Sequence, residues 1–75
     1  MTPQLRQFGD VRMVGLDGAL GVLLRDGRRV RVLAKETRAS GFRFCAGQLI
    51  ELSVTYDSSG VWRGFDLSRG DFVRG

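Results

Sequence analysis

The sequence predicts an all-β fold, five strands closed into a small barrel with one short helix between strands 3 and 4. Three observations carry this. The 75 residues include eleven glycines, about twice average usage, spread along the chain and often following Asp. Between these turn signals lie short β-branched and aliphatic runs. A single segment, residues 34–40, abandons that pattern for helix formers.

The runs set the strands. They span Val11 to Leu16, Leu20 to Leu24, Arg29 to Leu33, Leu49 to Tyr56, and Val61 to Leu67. The fourth alternates most cleanly, with Ile50, Leu52, Val54 and Tyr56 on one side and Glu51, Ser53 and Thr55 on the other. That is the period-two pattern of a half-buried antiparallel strand. Asp17-Gly18, Asp26-Gly27 and Ser58-Ser59-Gly60 mark turns, where Gly supplies positive φ. Ala34-Lys35-Glu36-Thr37-Arg38-Ala39-Ser40 lacks alternation and is stopped by Gly41, so it reads as one or two helical turns.

The register of the second hairpin follows from side-chain partition. A two-residue loop at Asp26-Gly27 would place Leu24 opposite Arg29 and Val22 opposite Arg31. A three-residue loop, Arg25-Asp26-Gly27, instead pairs Val22 with Val30 and Leu20 with Val32 on one face. Leu23 with Arg29 and Gly21 with Arg31 fall on the other. A one-residue slip reverses every side chain, so the clean partition is expected, with Gly27 left-handed.

Five short strands left as an open sheet would expose two edges, which closure removes. Three strands, a short helix and two more strands is the element order of the oligonucleotide-binding (OB) fold. The chain is expected to form one such domain over residues 1–75, its core spanning about 8–67 and a tail 68–75. No proline interrupts it after Pro3.

Composition excludes several chemistries. There is no histidine, the commonest general base and metal ligand, and one cysteine, so no internal disulfide. The acids sit mostly beside Gly or Ser, where Asp stabilises turns, and the hydroxyls have no base to activate them. Cys45, between Phe44 and Ala46, is expected in the core. The protein is therefore read as a non-enzyme without cofactor, metal or small-molecule substrate. Residues 1–8 carry no apolar signal segment, and no run approaches a membrane span, so a cytoplasmic protein with no membrane partner is expected.

The cations carry the functional signal. Twelve Lys and Arg against eight Asp and Glu give a net charge of +4. Eleven of the twelve are Arg, which binds phosphate bidentately and stacks on bases. Arg28, Arg29, Arg31, Lys35, Arg38 and Arg43 crowd into sixteen positions that contain one acid, Glu36. Folded as above, they line the outer face of strands 2 and 3 and the adjoining helical loop, where OB domains take oligonucleotides. Aromatic rings would add base stacking. Phe42 and Phe44 flank Arg43 and share a face, as a buried pair or a stacking platform. Trp62, beside Arg63, is either a core plug or a base platform.

Ser40-Gly41-Phe42-Arg43-Phe44-Cys45 resembles the Gly-aromatic-x-aromatic motif of cold-shock and RNA-recognition domains, but it follows the helix instead of the first strand. A broader resemblance, over residues 11–65, is to bacterial translation initiation factor one. It rests on Ala46-Gly47-Gln48-Leu49-Ile50-Glu51-Leu52-Ser53-Val54-Thr55-Tyr56-Asp57-Ser58-Ser59-Gly60, similar to the family's Gly-Asp-x-Val strand and Tyr-Asp turn. Arg25-Asp26-Gly27 resembles its Glu-Asn-Gly hairpin. The chain departs from the family at Gln48, in a turn about two residues shorter without its Lys, and in the missing Ser-Gly-Lys ahead of Arg38. The resemblance implies an OB barrel that binds RNA, with rRNA of the small ribosomal subunit as partner and Arg38 and Arg43 facing it. The residues also allow two other readings. One is a cold-shock-like single-stranded nucleic-acid binder. The other is a protein-interaction barrel docking through Val14, Leu16 and Leu23.

Overall fold

Five strands and one helix follow one another in the expected order: β1 Arg6–Val14, β2 Leu20–Leu24, β3 Arg29–Val32, α1 Ala34–Ser40, β4 Leu49–Tyr56 and β5 Trp62–Arg69. The structure is a computed structural model and describes residues 6–70. The strands close into a barrel in the order β1-β2-β3-β5-β4, with β4 returning to β1. Pairing is antiparallel except between β3 and β5. This is the topology of an OB-like barrel, with its helix between the third and fourth strands.

The β2–β3 hairpin has the register that side-chain partition demands. Leu20 pairs with Val32, Gly21 with Arg31, Val22 with Val30 and Leu23 with Arg29. The loop is Arg25-Asp26-Gly27, closed by Leu24 N–H donating to Arg28 O at 2.8 Å and Gly27 N–H to Leu24 O at 3.0 Å. Gly27 has φ +94°. The turn aspartates act as expected. Asp17, Asp26 and Asp57 each accept a backbone N–H two residues on, at 3.0, 3.0 and 2.9 Å.

The core is the inward face of all five strands plus one loop aromatic. Ile50, Leu52, Val11 and Val32 are fully enclosed, and Phe44 caps them from the segment after α1. Each such side chain contributes about 1.5–3 kcal/mol by leaving water. Helix α1 buries no residue completely and packs against β5, ending at Gly41 with φ 76°.

Several boundaries differ from those expected. β1 starts at Arg6 and ends at Val14, because its first half pairs with β4 and its second with β2. Leu16 therefore lies on the β1–β2 turn. β5 continues to Arg69, so residues 68 and 69 belong to the barrel and not to a tail, while 71–75 lie outside the described residues. β5 is also irregular. Between the pairs Glu51–Ser68 and Ser53–Phe65 it holds one extra residue, and Asp66 takes φ 55°. The Arg6 guanidinium clamps this bulge, donating to Asp66 O at 2.5 Å and to Ser68 Oγ at 2.9 Å. Cys45 is exposed and not in the core. Residues 42–45 are not a strand, so alternation around Phe44 places no neighbour inward.

Candidate nucleic-acid interface

The strands fix the face before any partner is considered. On β3 Val30 and Val32 point inward, so Arg29 and Arg31 project outward. On β2 the same alternation turns Gly21 and Leu23 outward beside them. β1 adds a less regular contribution. Val11 pairs with Val22 but Met13 pairs with Gly21, so Arg12 is an extra residue, a β-bulge. A bulge re-aims the side chains that follow it. With strict alternation Met13 would share the inward face of Val11. Instead Val11 is buried while both Arg12 and Met13 are exposed on the outer face.

These side chains line a groove of about 540 Å³, with Val61 closing the end nearest β5. Its cations are Arg12, Arg29 and Arg31, and it contains no acidic and no aromatic residue. Among the described residues none of the three has a carboxylate within ion-pair distance. Between them lie Met13, Leu23 and Val61. The floor is shallow at Gly21, where a Cβ would rest 3.6 Å from Met13 Cβ. Three guanidiniums around an apolar floor can hold a polyanion and offer its less polar parts a dry contact.

The other cations singled out in the sequence, Arg28, Lys35, Arg38 and Arg43 of the cluster and Arg63 beside Trp62, lie elsewhere. Arg28 and Arg63 are held by carboxylates. Arg28 Nη2 lies 2.7 Å from Asp26 Oδ2, and Arg63 Nε lies 2.6 Å from Asp57 Oδ2. The Arg28 guanidinium also covers Trp62, 4.6 Å from the ring centroid, and Tyr56 meets the same indole edge-on at 4.8 Å. Trp62 packs against the core at the end of the barrel and does not line the groove.

Lys35, Arg38, Phe42 and Arg43 are exposed on α1 and the segment after it, again outside the groove lining. Phe42 and Phe44 meet edge-on at 6.0 Å, but Phe44 is buried and Phe42 is not. The structure thus gathers Arg29 and Arg31 of the expected residues into one groove and distributes the others around it. Val14 and Leu16 are exposed, and Leu23 is half-buried in the groove wall.

Sequence reading missed Arg12, Met13 and Val61. A signal for the first two was present. Apolar residues at 11, 13, 14 and 16 fit no single period-two phase, and such a phase break is what a bulge leaves in a sequence.

Asp57 organises the loop that ends at Val61. Its Oδ1 accepts from Ser59 N, Ser59 Oγ and Val61 N at 2.9, 2.6 and 3.1 Å. The Ser59 hydroxyl, then Arg63, then the Val61 amide hold its carboxyl far below the usual aspartate range. Arg28, through its side chain and then its backbone amide, lowers Asp26 in the same direction.

No helix among the described residues is long and apolar enough to cross a membrane. No family model matches the chain, and neither a curated protein nor a solved structure is found similar to it.

Proposed function

We propose that this OB-like barrel binds RNA across the outer face of β1, β2 and β3, as a cytoplasmic, non-enzymatic binding protein. One observation carries the reading: Arg12, Arg29 and Arg31 converge on a single groove without carboxylates to neutralise them. The position supports it too, since this is the face on which OB barrels receive oligonucleotides. The resemblance of residues 11–65 to translation initiation factor one makes small-subunit rRNA the first natural target to try. Lys35 and Arg38 on α1 and Arg43 after it are exposed cations outside the groove that a large RNA can reach as well.

The test is a titration of fluorescently labelled single-stranded RNA followed by anisotropy. Three phosphate contacts give a slope of about −2 in log K against log salt. Affinity should then fall roughly 20-fold between about 50 and 200 mM salt. No binding at the lower salt, or an affinity indifferent to salt, overturns the reading. Co-sedimentation with small ribosomal subunits then separates an rRNA target from RNA at large.

A further inference from the structure

We infer that Met13 and Leu16 are the base-contacting residues of this face, pressing aliphatic side chains on unpaired bases while Arg12, Arg29 and Arg31 hold the phosphates. This rests on the RNA reading above and narrows it to single-stranded RNA, since a duplex hides the faces of its bases.

The first ground is what the groove lacks. Single-strand binders commonly stack bases on aromatic rings, yet no ring lines this groove. Trp62 is already packed under Arg28 and against Tyr56, and Phe44 is in the core. Any contact to a base in the groove must come from aliphatic side chains or from guanidinium planes.

The second ground is how the apolar side chains are presented. Scattered exposed apolar residues are ordinary. Here Met13, Val14 and Leu16 are exposed within four positions, Leu16 completely; Met13 lines the groove, and Leu16 follows it on the β1–β2 turn. Met13 is turned out by the bulge at Arg12, when regular alternation would have pointed it inward. Gly21, its cross-strand partner, has no side chain to cover it. Leu16 is held out by a closed turn. Gly15 N–H donates to Ala19 O at 2.7 Å, Gly18 N–H to Gly15 O at 3.0 Å, and Ala19 N–H to Asp17 Oδ1 at 3.0 Å. A turn whose backbone is already closed adds no loop-ordering cost on binding.

The third ground is the charge around it. Arg12 precedes Met13 in the chain, and Arg29 and Arg31 border the same groove. A nucleic acid satisfies both halves of such a surface, with phosphates on the cations and base faces on the aliphatic end.

The experiment compares wild type with Leu16→Ser, Met13→Ser and the double variant. Each binds a labelled single-stranded RNA and, separately, the same RNA annealed to its complement. Both positions are solvent-facing, so thermal melts should stay unchanged. Each single variant should lose about fivefold in affinity for the single strand, the low end of what a base stacked on a ring is worth. The double variant should lose more than tenfold, with the salt slope unaltered because no phosphate contact is removed. Duplex binding should not move. A double variant within twofold of wild type on the single strand overturns the inference and leaves the RNA reading standing. Equal losses on single strand and duplex overturn it in the same way. Wild type that binds neither RNA at low salt removes the RNA reading itself, and this inference with it.

Discussion

Arg31 on β3 stands opposite Arg63 on β5 across the parallel seam of the barrel, and Asp57 neutralises only the second of them. Two like charges facing each other across paired strands repel. The 2.6 Å contact from Arg63 Nε to Asp57 Oδ2 removes that conflict and leaves Arg31 uncompensated toward the groove. The arrangement both secures the seam and selects which arginine is available to a ligand.

Asp57 should therefore make stability depend on acid. Its folded carboxyl titrates far below the ordinary value of about 4, owing first to the Ser59 hydroxyl and then to Arg63. A depressed folded value means that protons favour the unfolded chain as pH falls. The contribution is whole above the unfolded value and is lost as pH drops below about 4 toward the folded one. Asp57→Asn should be less stable than wild type at pH 7, and the gap should narrow steadily toward pH 2. Urea melts across that range measure it. A gap that keeps its size at every pH assigns no stabilising role to the charge.

The groove cations should control affinity without controlling folding. Arg29 and Arg31 are exposed and have no ion-pair partner among the described residues. Arg29→Ala with Arg31→Ala should leave the thermal melt in place while weakening RNA binding. Two lost phosphate contacts should flatten the salt slope by about 1.4. The comparison variant is Lys35→Ala with Arg38→Ala, on α1 and outside the groove. If that pair costs more affinity for a short single strand, the helix surface is the principal site.

Much of this architecture was legible because a barrel's demands are local. Partition of Val22 and Val30 from Leu23 and Arg29 fixes one hairpin register, and Gly27 fits its turn. What escaped depends on single inserted residues or on distant partners. The bulge at Arg12 has no compositional mark beyond a slipped hydrophobic phase. The β1 start at Arg6 was hidden by Gly9 and Asp10, residues that ordinarily end a strand. Pairing of Arg63 with Asp57, six residues apart across a turn, depends on how that turn folds back, which spacing alone does not give. The site was half legible for the same reason: alternation gives Arg29 and Arg31, while three-dimensional closure brings Arg12 and Val61 to them.

Two glycines should respond to alanine for opposite reasons. At Gly27 an added Cβ meets nothing within 4 Å, but φ is +94°. The cost is backbone strain alone, about 1–2 kcal/mol. At Gly64 the backbone is unexceptional and space is missing. A Cβ would lie 2.5 Å from Leu52 Cδ1, 3.0 Å from Val32 Cγ2 and 3.1 Å from Val30 Cγ1. Overpacking of that kind costs about 1–3 kcal/mol. Gly27→Asn should recover part of the loss at the turn, because Asn tolerates positive φ, whereas Gly64→Asn should be worse than Gly64→Ala. Equal behaviour of the two asparagine variants would contradict this division between strain and space.

Arg28 should act as the cover of Trp62. Its guanidinium lies 4.6 Å from the indole centroid and is positioned by Asp26, which accepts from Arg28 Nε at 2.8 Å and from its backbone N–H at 3.0 Å. Removing a cation from a ring at a partly exposed site costs about 0.5–1 kcal/mol. Arg28→Ala should lower stability by that amount and increase quenching of Trp62 emission by acrylamide. Arg28→Lys keeps the charge but not the planar fork that Asp26 holds, so its quenching should fall between the two. Because Trp62 is at the barrel end and not in the groove, Arg28→Ala should keep most of its affinity for RNA. Affinity falling as steeply as in the Arg29, Arg31 double variant would move the binding face from the groove to the barrel end.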